Sequence, residues 1–329
     1  MKANKTKKKW KDSFENWLRK YDDLPKFHRK RKYTFVFFMI IWSIIDFLVF
    51  YVAVNISSIL MAFQEFTGYD PETYQATYKW SFENFRHFWA DITYDGWAST
   101  SFRNALRNTL FLFVLGNAWS IPMQFLVSYF LYKKIFGYKM FRWILYLPSI
   151  ISSVVVVTIF KNVVDVNGLL STLSMRLGNG PIVGLLTDER FAKWTVLIYC
   201  DWHGFAGSYI IITAAMMRIP SEVVEAAKLD GVSAAREFFS IVFPMIWPTV
   251  HIIILQKITG ILSADGPILL LTGGNADTYT IGFWFYSQVI LSQSFEYPSA
   301  IGLIMTLTIA PIAIVARKLL DKVYADVEF

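Results

Sequence analysis

Six long apolar stretches separated by polar segments set the pattern of this chain. They run from about Tyr33 to Leu60, Leu106 to Tyr132, Phe141 to Phe160, Trp194 to Met217, Trp247 to Leu271 and Ala300 to Ala316. An α-helix crosses hydrocarbon with about 20 mostly apolar residues, so the pattern predicts an all-α membrane protein with six transmembrane helices. The first intervening segment, from about Met61 to Arg103, is long and rich in aromatics. Tyr69-Asp70-Pro71 and Asp95-Gly96 are turn signals in it, and Phe82, Phe85, Phe88 and Trp89 fall on one helical face. Two uses of that face stay open: packing on the bilayer surface or neighbouring loops, and contact with a partner protein.

The segment between the fourth and fifth stretches reads as two short helices about a bend. Pro220 follows Arg218-Ile219 and suits the start of a helix better than its continuation, with Ser221 and Glu222 as cap and first-turn acid. Val223, Val224, Ala226 and Ala227 give a small, partly apolar helix. Asp230-Gly231 ends it, because glycine readily takes the left-handed conformation that closes a helix. Ala234 to Phe243 forms the second helix, returning to the membrane, and Pro244 and Pro248 bend the chain there.

Charge gives this layout a direction. The chain is 55% hydrophobic and 17% charged, with a net charge of +7 and a mean hydropathy of +0.40, which fits a polytopic membrane protein. Residues 1–32 hold ten Lys and three Arg against four acids. Directly before a membrane span, such a segment is better read as a cytoplasmic anchor than as a nucleic-acid patch, and it suits anionic lipid. Trp10, Phe14, Trp17, Leu18 and Tyr21 recur at helical spacing, as in an amphipathic surface helix. The apolar run after Lys32 is too long for a cleaved signal peptide. Lys133, Lys134, Lys139 and Arg142 follow the second stretch and Arg317, Lys318 and Lys322 the sixth, whereas 272–299 has no Lys or Arg. This asymmetry predicts both termini in the cytoplasm, with the loop around Gly231 on the same side. The segment Lys161–Lys193, assigned outside, runs against the trend with four basic residues. The resulting division is a basic segment 1–32, a transmembrane domain 33–323 and a tail 324–329.

Candidate chemistry is sparse. The lone Cys200 excludes a disulfide within the chain, and no P-loop, H-E-x-x-H, G-x-S-x-G or metal-spaced Cys/His cluster occurs. Ionisable residues inside spans are costly and so become functional candidates. Asp46 lies in the first span, Asp201 and His203 in the fourth, and Lys257 and Asp265 in the fifth. Asp46 pairs with a polar group on another span or a partner subunit, or takes part in transport. Aromatic faces beside hydrogen-bonding groups suit sugars, which Tyr199, Trp202, His203, Phe205, Tyr209 and Asp265 supply. An aromatic stripe in a membrane helix is more often packing.

The run Glu225-Ala226-Ala227, then three residues, Gly231, nine residues, Ile241-Val242-Phe243-Pro244 resembles the EAA loop of ABC importer permeases, E-A-A, x3, G, x9, I-x-L-P, failing only at Phe243. Asn104…Asn108-Thr109 resembles the N-x-x-x-N-T segment of the sugar-importing branch. Leu271-Thr272-Gly273-Gly274 looks like its L-T-x-G segment, and Tyr297-Pro298-Ser299-Ala300 is similar to its G-Y-A-x-A segment. Asn275-Ala276-Asp277 stands where that branch has G-P, and Asp46 has no counterpart in it. The resemblance covers about Tyr33 to Asp321. It implies the type I importer permease (MetI-like) architecture with six transmembrane helices and cytoplasmic coupling helices, in a bacterial cell membrane. It implies a non-enzymatic translocation subunit for carbohydrate, most closely oligosaccharide. The implied partners are a second homologous permease (a heterodimer), two ATPase subunits carrying ATP and Mg, an extracellular sugar-binding lipoprotein and the bilayer. The implied ATPase-coupling residues are Glu225, Ala226, Ala227, Asp230, Gly231, Ile241 and Pro244, and this chain itself binds no cofactor. The alternatives are an ion-coupled secondary transporter using Asp46, Asp201 and Asp265, and a membrane-embedded enzyme, for which no catalytic constellation is present.

Overall fold

The computed structural model describes residues 26–93, 102–263 and 267–323, with side chains from Tyr33 onward except 262–263. Asp265, the surface helix expected around Trp10–Tyr21 and the tail 324–329 lie outside the described residues. The chain divides into two units, one up to Met61 and one from Ala62.

In the first unit, α1 (Lys26–Asp46) passes through a π-helical stretch (Phe47–Ala53) into α2 (Val54–Ala62). Tyr33–Ala62 has the highest hydropathy of the candidate spans among the described residues, and none of its most apolar window is buried within the protein. Phe35, Phe38, Trp42 and Phe50 all stand exposed. A helix that is apolar all round takes lipid or another membrane helix as its solvent. Asp46 sits on its exposed surface, where α1 gives way to the wider π turn.

The second unit opens with an antiparallel hairpin, β1 (Gln64–Tyr69) and β2 (Ala76–Trp80), with Gln64 opposite Trp80. The expected turn at Asp70-Pro71 joins the strands. The strands themselves were not anticipated, although Ala76, Tyr78 and Trp80 follow the period of a strand. α3 (Glu83–Thr93) follows, on the predicted aromatic face. The Asn84 amide donates to the Ala62 and Gln64 carbonyls (3.1 and 2.7 Å), which ties α3 to the base of the hairpin. Tyr297 donates to Asp91 Oδ2 (2.5 Å), which ties α3 to the last helix.

The remaining helices are α4 (Phe102–Tyr132), α5 (Tyr138–Ile150), α6 (Ser153–Val164), α7 (Leu169–Arg176), α8 (Glu189–Met216), α9 (Ser221–Leu229), α10 (Ala234–Glu237), α11 (Phe243–Thr259), α12 (Ile268–Leu271), α13 (Ile281–Tyr286) and α14 (Glu296–Leu320). Five helical segments among the described residues are long and apolar enough to cross a membrane: Tyr33–Ala62, Phe102–Tyr132, Ser153–Arg176, Ala234–Thr259 and Glu296–Leu320. The third predicted span, Phe141–Phe160, is not one helix. It breaks between α5 and α6, where Ile151 and Ser152 take extended backbone just after Pro148, and the apolar segment of spanning length begins at Ser153. The fourth predicted span is α8, whose 28 residues reach about 42 Å but include Arg190, Lys193 and Asp201. It starts before Trp194 because Asp188 caps it, accepting from the Arg190 amide (2.9 Å). Arg190 in return holds the Asp188 carboxyl down at about 2.

α4 packs along α8, and two apolar clusters sit toward opposite ends of the pair. One joins Phe102, Ala105, Val196 and Tyr199 to Ile268, Ile281, Trp284 and Ile301. The other joins Phe125, Tyr129, Ile212 and Met216 to Ile219, Val224, Val242, Ile246 and Trp247.

Candidate functional site

α9 and α10 stand at the second of these ends and form a knob. α9 opens where expected, with Glu222 in its first turn, but Pro220 takes the cap position in place of Ser221, which is the first helical residue, and no side chain caps the helix. Its far end is a complete Schellman turn: the Val232 amide donates to Ala227 O (3.0 Å) and the Gly231 amide to Lys228 O (3.1 Å). Gly231 takes the φ of +71° that this turn requires, and a Cβ there would meet nothing within 4 Å. The need for glycine is therefore conformational within this chain. Ser233 caps α10 by accepting from the Arg236 amide.

The knob has two faces. Val224 and Ala227 turn inward, Val224 into the apolar cluster beneath. Glu225, Ala226, Leu229, Asp230 and Gly231 turn outward, and Leu229 is 89% exposed. Glu237, only 3% exposed, is braced by Lys133 at the end of α4, whose Nζ lies 2.6 Å from Oε2. Tyr129 of α4 donates to Ala234 O (3.1 Å) beside it. The chain then runs through a π turn (Phe238–Val242) into α11, and this wider turn precedes Pro244, which has no amide hydrogen to continue the ladder. Ile241 and Pro244 are half-buried in this connection. Phe243 meets Phe125 edge-on at 5.4 Å and Trp247 at 5.7 Å, so aromatic neighbours occupy the place where the motif has leucine.

At the opposite end, two motifs that are far apart in sequence meet. Asn108 donates to the carbonyls of Asp277 (2.8 Å) and Tyr279 (2.9 Å), and Thr109 accepts from the Ile281 amide (2.9 Å). Asn104 donates to Asp277 Oδ1 (2.5 Å), while Arg107 (3.1 Å) and Lys193 of α8 both pair with Oδ2. Burial pushes the Asp277 carboxyl up, but the hydrogen bonds from Lys193 and Asn104 and the charges of Lys193 and Arg107 more than offset this, so it lies below the usual range. The residue that departs from the family motif is thus the hub joining α4, α8 and the loop before α13. Gly274 (φ +79°) lets that loop pass the rings of Phe283 and Tyr279, which a Cβ would strike at 2.4 and 2.6 Å.

Between the two ends lies a cavity of about 370 Å³. Its wall includes Asn117, Ser120 and Gln124 of α4, Tyr199, Cys200, Asp201 and His203 of α8, and Lys257 of α11. Tyr199 and His203 stack at 5.6 Å, with planes 10° apart. Gly116 admits Asp201, whose Oδ1 would lie 3.2 Å from a Cβ at that position.

Among known proteins, no family model matches. The multiple sugar-binding transport system permease protein of Streptococcus mutans is 28% identical over 265 residues, covering 79% of this chain and 87% of its own. The polygalacturonan/rhamnogalacturonan transport system permease protein of Bacillus subtilis is 29% identical, over 66% and 69% of the two chains. A chain in the crystal structure of a bacterial alginate ABC transporter, in complex with an alginate pentasaccharide-bound periplasmic protein, shares the fold with a TM-score of 0.75, covering 96% of this chain and 98% of its own at 22% identity. The chain is similar to ABC transporter permeases along most of its length.

Of the expected pathway residues of the permease, Tyr199 and His203 line the cavity. Trp202 and Phe205 face an adjoining lateral groove with Trp119 and Trp194, which shares Ser120 and Asp201 with the cavity. Tyr209 is buried and donates to Arg142 O (3.1 Å), fastening α8 to α5 away from the cavity. Gln124 and the Lys133–Glu237 brace were not anticipated. Lys133 stood out only as a cytoplasmic charge, and nothing local marks Glu237 as its partner.

Proposed function

We propose that this permease is the translocation subunit of an ATP-driven importer that carries carbohydrate, in particular oligosaccharide, handed over by an extracellular solute-binding protein. The observation that carries this reading is sequence similarity along most of the chain to transport permeases named for multiple sugars, lactose and arabinooligosaccharides. The shared fold with the alginate transporter, whose structure includes a periplasmic protein, supports a binding-protein partner. The relatives favour this reading over an ion-coupled carrier using Asp46, Asp201 and Asp265.

The knob is the proposed seat of the ATPase. Glu225, Ala226, Asp230 and Gly231 form the docking face. Val224 fastens it to the cluster that reaches α4, α8 and α11, with Ala227 buried on the same inner face, while Ile241 and Pro244 lead into α11. A push on a rigid knob then moves three long helices together, which is the mechanical requirement of alternating access. ATP and Mg belong to two ATPase subunits. A second, homologous permease completes the pathway, and the exposed first span suits either that subunit or lipid. Residues 33–323 form the spanning domain with six crossings, α8 being the most polar, in a bacterial cell membrane with both termini cytoplasmic. Asp46 is assigned a polar partner on a neighbouring subunit.

Two experiments test this. Affinity capture of the tagged permease from its native membrane should bring down an ATPase and a second permease, and membrane vesicles should take up saccharide only with ATP. Capture of the chain alone, with transport driven by an ion gradient, would overturn the reading. Second, Gly231→Val places a β-branched residue in the left-handed region and should abolish uptake while the permease stays in the membrane. Gly231→Asn tolerates that region and should retain most uptake.

A further inference from the structure

Asp201 and Lys257 line one cavity in the interior of the permease, yet neither makes an ion pair or a hydrogen bond with another described residue. Charges in a spanning segment normally pair with each other or with backbone. Gln124 and Tyr199 line the same wall on side chains only 1% exposed, with Gln124 Oε1 and the Tyr199 hydroxyl buried behind its surface. Two groups with unused hydrogen-bonding capacity among the described residues therefore border one space: Asp201 accepts and Lys257 donates. His203, stacked on Tyr199, adds a ring beside them.

The occupant that satisfies this set donates and accepts in equal measure. A hydroxyl does both from one atom, whereas a carboxylate only accepts. A carboxylate would also meet Asp201 as a like charge in a site where Lys257 is already balanced, since among the described residues the wall holds one full charge of each sign. A cavity with charged groups in its wall binds water at those groups, and sugar hydroxyls reproduce the bonds of the water they displace. We infer that Asp201 and Lys257 are specificity-determining residues that make this cavity select neutral, hydroxyl-rich saccharide units over uronic acids. The inference rests on the proposed function and deepens it. It also separates this permease from a relative named for polygalacturonan, an acidic polymer.

Cys200, the sole cysteine of the chain, lines the same cavity and reports its occupancy. The test uses the full transporter in membrane vesicles. Maleimide labelling of Cys200 is read by mass spectrometry of its peptide, with neutral hexose oligosaccharides and uronic acid oligosaccharides of matched length as competitors. Neutral saccharides should protect Cys200 at concentrations about tenfold or more below any uronate effect. Asp201→Asn should raise uronate protection, and Lys257→Gln should weaken protection by neutral sugars. Equal or better protection by uronates in the natural protein would overturn the inference, and that comparison needs no variant to fold. Protection by neither class while ATP-driven saccharide uptake persists would overturn it too, leaving the proposed function intact. Loss of all saccharide uptake would instead count against the function.

Discussion

Helix α4 is held at both ends, and the two ends are held differently. At one, Asn104, Arg107, Asn108 and Thr109 spend their polar groups on Asp277, Tyr279 and Ile281 within the same chain. At the other, Tyr129 and Lys133 brace the base of a knob whose tip touches little. Gly231 has open space about it, and Leu229 is 89% exposed. The first end is closed by its own residues. The second is a braced mount with an exposed face. The difference teaches where to look for partners: a buried, satisfied polar cluster holds the fold, and an exposed, conformationally fixed turn offers itself to something else.

The brace should matter most to the fold. Glu237 is buried and Lys133 partly so, and removing one partner of a buried pair leaves an uncompensated charge, a loss of about 3–5 kcal/mol. Glu237→Ala should therefore lower the thermal stability of the purified permease sharply, and Glu237→Ala with Lys133→Met should recover much of it. Equal stability of Glu237→Ala and the natural protein would show that the knob is not held through α4.

The far cluster should give a smaller effect, because Asp277 and Arg107 keep contact with solvent. Asp277→Asn removes the charge from hydrogen bonds worth about 1.5–3 kcal/mol each when charged, with the loss reduced by that exposure. The sign with pH follows from the lowered carboxyl. Stability from Asp277 is full above the ordinary carboxylate value of about 3.9 and is lost only as pH falls through the lower folded value. Exchange at the Ile281 amide, which Thr109 accepts, should thus be flat with pH in its protection from neutrality down to the carboxylate range and rise below it. In Asp277→Asn this acid step should vanish. An acid step of unchanged size in that variant would assign it to another group.

The knob was legible in sequence because its instructions are local: Pro220 and Ser221 start a helix, Gly231 closes it and Ser233 starts the next. The far cluster was legible only as fragments. Asn104 and Asp277 lie 173 residues apart, and no periodicity links them, so nothing in the sequence marks Asp277 of the Asn-Ala-Asp departure as their meeting point. The third span misled for another reason. Hydropathy registers Ile150 and Ile151 as a continuous run, but the backbone turns extended between them, and an apolar side chain carries no mark of that. The hairpin was hidden by the aromatic richness that suggested surface packing, although its alternation was present. Within the cavity, residue type pointed to Tyr199 and His203. It could not separate them from Tyr209, about two to three helical turns away, whose hydroxyl is committed to Arg142.

The central claim is that the knob is a docking face for an ATPase. With Cys200 replaced by serine and a cysteine placed at Leu229, a short bifunctional reagent in native membranes tests it directly. The account predicts a cross-link from position 229 to a nucleotide-binding subunit, diminished by Gly231→Val and retained in Gly231→Asn. Cross-links to no ATPase, in membranes that still import saccharide with ATP, would contradict it.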